Sequence, residues 1–225
     1  MKQLTANVYS VTGKGFFSTP VFILEKENGQ LTLIDAGLEK DAKAIIRKIQ
    51  KKWGDLGKIE RFVFTHRHQD HTGGLTSFIR EMTAVSASES PLERIEIICH
   101  EDEAPYFVNN LRAQLISPNR TVKHEEIIDE ELKLKAIHVP GHSWGHICLL
   151  LEKEKLMFIG DLFMFMPFGL RSVFKRFADD YEQYLENIDI ILDYDWDYAI
   201  PSHMTAKKVV RKKVEKFIKK LEKSK

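Results

Sequence analysis

At 225 residues, with 43% hydrophobic and 30% charged side chains, the chain can bury a sizeable core and has the balance of an ordinary soluble globular protein. No apolar stretch approaches the roughly 20 residues that cross a bilayer, and Met1-Lys2-Gln3-Leu4-Thr5-Ala6-Asn7 lacks the apolar core of a secretory leader. The net charge of +1 excludes a uniformly basic surface, yet residues 207–225 hold ten Lys or Arg against two Glu (+8) while the rest hold 24 against 31 (−7).

In chain order, Val8–Val11, Val21–Glu25 and Leu31–Asp35 are expected strands, separated by Gly13-Lys14-Gly15 and by the hairpin signal Asn28-Gly29. A helix is expected over about Lys40–Lys52, with Ile45, Ile46 and Ile49 on one face. Asp35, at a strand end, either caps the next segment or lies behind a metal site. Ile59–Thr65 is an expected strand running into Thr65–Thr72, which reads T-H-R-H-Q-D-H-T. Three of the chain's nine histidines fall in these eight residues. Imidazole nitrogens and carboxylate oxygens are the usual ligands of zinc and similar ions. In extended backbone His66 and His68 point the same way, whereas the adjacent Asp70 and His71 cannot both share that direction. Two ligand clusters aimed at two nearby points are therefore expected.

After Gly73-Gly74, which permit close backbone approach, a helix should run to about Glu81, followed by a strand over Ile95–Cys99. His100 ends that strand and reads as a structural histidine. Tyr106–Ile116 is expected to be helical and Ser117–Glu125 a loop with an exposed His124. Leu132–Val139 and Ile147–Glu152 are expected strands joined by P-G-H-S-W-G-H, Pro140 to His146, and Leu156–Ile159 is a strand closing on Gly160-Asp161. His138 and His146 read as structural or supporting groups. The uncharged run Leu162–Leu170 reads as a lid, a pocket wall or a partner surface, extended by Phe174 and Phe177. A helix over Tyr181–Leu192 and a short strand Tyr198–Ile200 lead to Pro201-Ser202-His203. Val210, Val214, Phe217 and Leu221 recur at helical spacing, so the basic tail is an amphipathic terminal helix with solvated lysines. Cys99 and Cys148 sit in apolar runs as core residues, and a cytoplasmic location is the expectation.

Four points stand at strand ends: His66/His68/Asp70/His71, His142, Asp161 and His203. Their order and local sequences resemble the metallo-β-lactamase-fold superfamily, in its glyoxalase II and lactonase-like branch, from Leu33-Ile34-Asp35 through Pro201-Ser202-His203. The resemblance rests on an HxHxDH run, a PGHS segment, a strand-Gly-Asp and a strand-Pro-Ser-His. It implies a single α/β domain over residues 1–225: an αββα sandwich, two mixed β-sheets face to face with helices on the outer faces and the metal site at one edge. It implies one metal on His66, His68 and His142, a second on Asp70, His71 and His203, and Asp161 bridging them. Two Zn2+ ions are expected, with iron or manganese as alternatives. The implied reaction is hydrolysis of an ester, thioester or lactone carbonyl by a hydroxide held between the metals, with Asp70 also orienting the nucleophile.

Departures from the family's patterns narrow the reading. Class B1 β-lactamases use a cysteine in the second metal site, where this chain has Asp161. Glyoxalase II carries a C-terminal helical region, and only 22 residues follow His203 here. Lactonases place a tyrosine where this chain has Met164. Trp144 stands at a position usually small or proline, and Met204 follows His203 where glycine is common. With Phe163, Met164, Phe165 and Phe168 these residues suggest an apolar pocket for a small acyl or aromatic substrate. Iron chemistry of the persulfide dioxygenase type, a β-lactamase and a nuclease on the same scaffold are the alternatives; nucleic acid binding is disfavoured and the oligomeric state is open.

Overall fold

The computed structural model describes residues 1–13, 18–85, 90–107, 109–111, 114–166, 168–203 and 207–223. They gather into two compact units: residues 1–99 with 104–121, and residues 100–103 with 122–225.

The first unit opens with β1 (Lys2–Gln3), β2 (Val8–Val11), β3 (Val21–Glu25) and β4 (Leu31–Ile34). The turn between β3 and β4 uses Gly29 at φ 81°, with the Asn28 carboxamide accepting from the Gln30 N–H, as the Asn-Gly signal requires. Helix α1 (Glu39–Trp53) then crosses over to β5 (Ile59–Val63), which pairs in parallel with β4. A parallel pair needs such a crossover, and α1 makes it by burying Ile45, Ile46 and Ile49. A single turn, α2 (Gln69–Thr72), precedes α3 (Leu75–Val85) and α4 (Pro91–Arg94), and β6 (Glu96–His100) adds in parallel to β5. Strands β7 (Asn109–Leu111) and β8 (Gln114–Ile116) form a hairpin, and β9 (Arg120–Val122) completes a seven-stranded sheet of order β1-β2-β3-β4-β5-β6-β9. Its core includes Phe62 edge-on to Phe78 and Phe64 edge-on to Phe107.

Here the structure departs from the sequence expectation. The helix expected over Tyr106–Ile116 is replaced by the β7–β8 hairpin, although Val108, Arg112 and Ala113 lie outside the described residues. Asn109 and Asn110 are weak helix formers, and paired strands satisfy their backbone instead. The expected loop Ser117–Glu125 contains β9. Of the turn Gly13-Lys14-Gly15, only Gly13 is described.

The second unit holds a six-stranded sheet of order β10-β11-β12-β13-β16-β17, from β10 (Ile127–Asp129), β11 (Leu134–His138), β12 (Ile147–Leu151) and β13 (Leu156–Phe158). A two-stranded hairpin, β14 (Phe163–Met166) and β15 (Gly169–Ser172), and helix α5 (Tyr181–Asn187) intervene before β16 (Tyr198–Ile200). β16 pairs in parallel with β13. The helix expected over Tyr181–Leu192 stops at Asn187, and a 3-10 turn follows over Ile190–Asp193. The carbonyls beyond the break are taken by side chains: Trp196 Nε1 donates to Ile191 O, and Arg211 donates to Leu192 O and Tyr194 O. After β17 (Val209–Val210), α6 (Arg211–Glu222) buries Val214 and Ile218 and packs Phe217 and Leu221 on the same core. The basic tail is thus an amphipathic helix, its lysines on the outer face. Cys99 and Cys148 are free and buried, and burial pushes the Cys148 thiol well above its ordinary range.

Candidate metal centre

In the first unit, the parallel pairing of β4 with β5 brings their C-terminal ends to one edge, where the Asp35 N–H donates to Val63 O. Asp35 sits at φ 59°, a left-handed conformation uncommon outside glycine but accessible to aspartate. Its fully buried carboxylate accepts from the Thr65 N–H at 2.9 Å, from Thr65 Oγ1 at 3.0–3.1 Å and from His71 Nδ1 at 2.7 Å. A carboxylate can only accept, so His71 carries its proton on Nδ1 and keeps the Nε2 lone pair that a metal ligand needs. Asp35 does not cap α1, because the residue before that helix is Leu38.

The T-H-R-H-Q-D-H-T run divides between extended backbone and a single helical turn. His66 and His68 remain extended, their Nε2 and Nδ1 atoms 3.0 Å apart, while Asp70 and His71 ride on α2. The His66 and His71 rings lie 4.0 Å apart, and His71 Nε2 is 3.7 Å from Asp70 Oδ2. Thr19 Oγ1 donates to the same Asp70 oxygen at 3.4 Å. Close approach of α3 to the β4 end depends on Gly74: a Cβ there would lie 2.1 Å from Ala36 O.

In the second unit the parallel pair β13/β16 does the same work. The Ile159 N–H donates to Ile200 O and the Ser202 N–H to Gly160 O, so Asp161 and His203 leave adjacent strand ends. His203 Nε2 is 2.9 Å and His142 Nε2 3.7 Å from Asp161 Oδ2. His146 is not among these donors. It is buried and accepts the Asp161 N–H on Nε2 at 3.2 Å, which fixes the backbone of that aspartate.

The loop carrying His142 is pinned from several sides. Gly141, at φ 124°, lets the chain touch α5, where a Cβ would lie 2.2 Å from Tyr184 N. The Gly145 N–H donates to the buried Glu103 carboxylate at 2.8 Å, the Trp144 N–H to Asp179 at 3.1 Å, and Trp144 O accepts from His138 Nε2 at 2.9 Å. Glu103 and Asp179 carry no sequence signal, because they act on backbone amides remote in sequence. His138 stacks on His100 at 3.7 Å, with Asp102 beside both. Burial, then the neighbouring His138, lowers the His100 pKa to about 4, against an opposing pull from Asp102. His124 is exposed, as expected, and its Nδ1 accepts the His138 N–H.

The run 162–170 is a hairpin with two apolar faces. Phe163 is fully buried against Phe217, and Phe165 and Leu170 pack on the same core. Met164 and Met166 alternate to the other side and, with Phe168, wall a cavity of about 470 Å³. Phe163 and Phe165, expected at the substrate, therefore face the core instead of this cavity. The Trp144 side chain is partly exposed, and Met204 lies outside the described residues.

Imidazole nitrogens held in a defined tautomer, beside carboxylates, suit zinc or another divalent cation. Helices long and apolar enough to cross a membrane are absent among the described residues.

An atrochrysone carboxyl ACP thioesterase of Passalora fulva is 24% identical over 212 residues, covering 90% of this chain and 55% of that protein. An acyl-coenzyme A thioesterase, MBLAC2 of Bos taurus, is 30% identical over 112 residues, 44% of this chain and 40% of that protein. The chain thus spans about half the length of these curated relatives. Among solved structures, a metallo-β-lactamase from Pontibacter korlensis superposes with a TM-score of 0.71 at 16% identity, covering 98% of this chain and 97% of that one. The family model described as the metallo-beta-lactamase superfamily matches residues 15–203, and the chain belongs to that superfamily and has its fold.

Proposed function

We propose that this chain is a divalent-metal-dependent hydrolase acting on an acyl thioester or a closely related ester. His66, His68 and His142 would hold one ion, and Asp70, His71 and His203 a second, with Asp161 shared. The observation that carries the reading is the pair of parallel strand ends, each delivering a carboxylate set against a histidine: Asp35–His71 and Asp161–His203. Two relatives named as thioesterases direct the choice of substrate.

Bound there, two divalent ions, most simply Zn2+, would supply a water of lowered pKa and an electrophile for the carbonyl oxygen. The remaining work belongs to the chain. Asp35 holds His71 in one tautomer and one orientation. Asp70 Oδ2, steadied by Thr19, is the acceptor for the proton of the attacking water. His146 fixes the Asp161 backbone, and Glu103 with Asp179 keeps the His142 loop in place. Trp144, Met164 and Phe168 offer apolar surface to the acyl group. The single domain over residues 1–225 and a cytoplasmic location belong to the same proposal.

Metal content of protein purified without added metal, paired with a screen of thioesters, esters, lactones and β-lactams, tests the reading. About two zincs per chain with a preference for thioesters is the expected result. One iron per chain with oxygen uptake, or turnover confined to β-lactams, overturns it.

A further inference from the structure

Directly after Asp161, the β14–β15 hairpin presents a surface that metal chemistry leaves unexplained. Its cavity is walled by Met164, Met166, Phe168 and Tyr181, and Arg171 and Lys175 also line it. Met164 and Arg171 are direct cross-strand partners, so the guanidinium stands on the same face as the methionine. Arg176 lies over the rings of Phe174 and Phe177, at 5.6 and 4.7 Å. Among the described residues, none of Arg171, Lys175 and Arg176 forms an ion pair. The acidic residues just beyond, Asp179 and Asp180, are committed to the Trp144 N–H and to capping α5.

An apolar cavity edged by uncompensated cations selects an amphiphile with an anionic head. Resting on the thioester reading above, we propose that this cavity takes the acyl chain of a phosphopantetheine thioester, with Arg171 and Lys175 binding the phosphates of its carrier. The carrier is coenzyme A itself or the same phosphopantetheine arm on a protein. The exposed Phe168 tip, with cations nearby, also has the composition of a membrane-facing surface. The cavity favours the single ligand, because a surface that only rests on lipid has no use for a recess of about 470 Å³ lined by methionine.

The test compares decanoyl-CoA, decanoyl-4′-phosphopantetheine and decanoyl-N-acetylcysteamine, which share the thioester and differ in phosphate. The preference for decanoyl-CoA over the N-acetylcysteamine thioester, as a ratio of kcat/KM, should fall at least tenfold in the Arg171→Glu/Lys175→Glu variant. Retention of that preference on the phosphopantetheine substrate assigns the cations to the arm's own phosphate; its loss assigns them to the nucleotide phosphates. Calorimetry with the non-hydrolysable thioether S-decyl-CoA reads binding without turnover. The wild-type Kd should weaken between 50 and 300 mM NaCl, and the double variant should bind at least tenfold more weakly at 50 mM. Equal binding by both proteins overturns the proposal. So does binding to phosphatidylcholine/phosphatidylglycerol vesicles that Phe168→Ser abolishes, if S-decyl-CoA affinity ignores the two cations. Charge-sensitive thioether binding with no thioester turned over leaves the cavity assignment standing and overturns the hydrolase reading.

Discussion

Each unit ends a parallel strand pair in an aspartate facing a histidine, and the two pairs differ in depth and in the nitrogen engaged. Asp35 in the first unit is sealed from solvent, spends its oxygens on Thr65 and His71, and grips the histidine by Nδ1. Asp161 in the second unit is also buried but keeps about 10% of its side chain open, with Oδ2 close to Nε2 of both His203 and His142. The same residue types therefore serve opposite ends of one task. Asp35 orients His71, whereas in the proposed centre Asp161 would itself be a ligand. The lesson is that a carboxylate–histidine contact acquires its role from which ring nitrogen it occupies and from what else the carboxylate must satisfy.

That contrast can be broken by substitution. Asp161→Ala should lower metal content from about two ions per chain to about one, and thioester hydrolysis by about a thousandfold, on the scale of losing a principal electrostatic element. Elemental analysis beside steady-state kinetics checks this; full metal content would remove Asp161 from the ligand set. Asp35→Asn is accommodated at a left-handed position but offers a donor where His71 already donates. It should weaken metal affinity about 10–100-fold and cost about 1–3 kcal/mol of stability, since the partners left behind are buried. A chelator competition titration and urea unfolding measure the two effects separately. If only activity falls, Asp35 is not the orienting group described here.

The glycines test whether both units rely on backbone contact to hold these pairs. Gly74→Ala in the first unit and Gly141→Ala in the second should each cost about 2 kcal/mol or more in urea unfolding, because the added Cβ meets backbone atoms. Gly141→Ala should also reduce metal binding through the displaced His142 loop. The smallest effect is one of pH, and it concerns the second unit. His100 has a folded pKa of about 4 against about 6.5 unfolded, so between those values the unfolded chain binds more protons. Its contribution is complete above pH 6.5 and is lost as pH falls toward 4, by about 1–2 kcal/mol once solvent screening is allowed for. Urea midpoints of metal-free protein at pH 7, 5.5 and 4.5 should follow that slope, and His100→Asn should flatten it.

Much of this was legible in the chain. Strands β2, β3 and β16 fall on the residues their apolar runs marked, whereas the helical turn that carries Asp70 and His71 has no signal in the spacing of T-H-R-H-Q-D-H-T, which says only that the two cannot both share the direction of His66 and His68. Locally determined features were readable because turns and periodicity report them directly. The rest depended on contacts between distant residues. Asp35 was noticed, but its choice of Thr65 and His71 needed the parallel register of β4 and β5. Glu103 and Asp179 were invisible because backbone amides that need an acceptor leave no mark on composition. That Phe163 and Phe165 take the core side was illegible for another reason: in a run that is apolar at almost every position, alternation gives no sign of which side faces the core. Where a helix is expected over Tyr106–Ile116, the strand pairing of Asn109–Leu111 with Gln114–Ile116 stands instead.

The two-faced hairpin after Asp161 bears on how this protein can diverge. Truncating Phe163 would cost about 3–5 kcal/mol, because that face is part of the core, whereas Met164 and Met166 line open space and can be exchanged at little expense to the fold. Selection can therefore rewrite the wall of the cavity residue by residue while the strand that presents Asp161 stays fixed. A scaffold arranged this way keeps its reaction and changes its clientele, and neighbouring lineages would be expected to differ first at the positions facing the cavity.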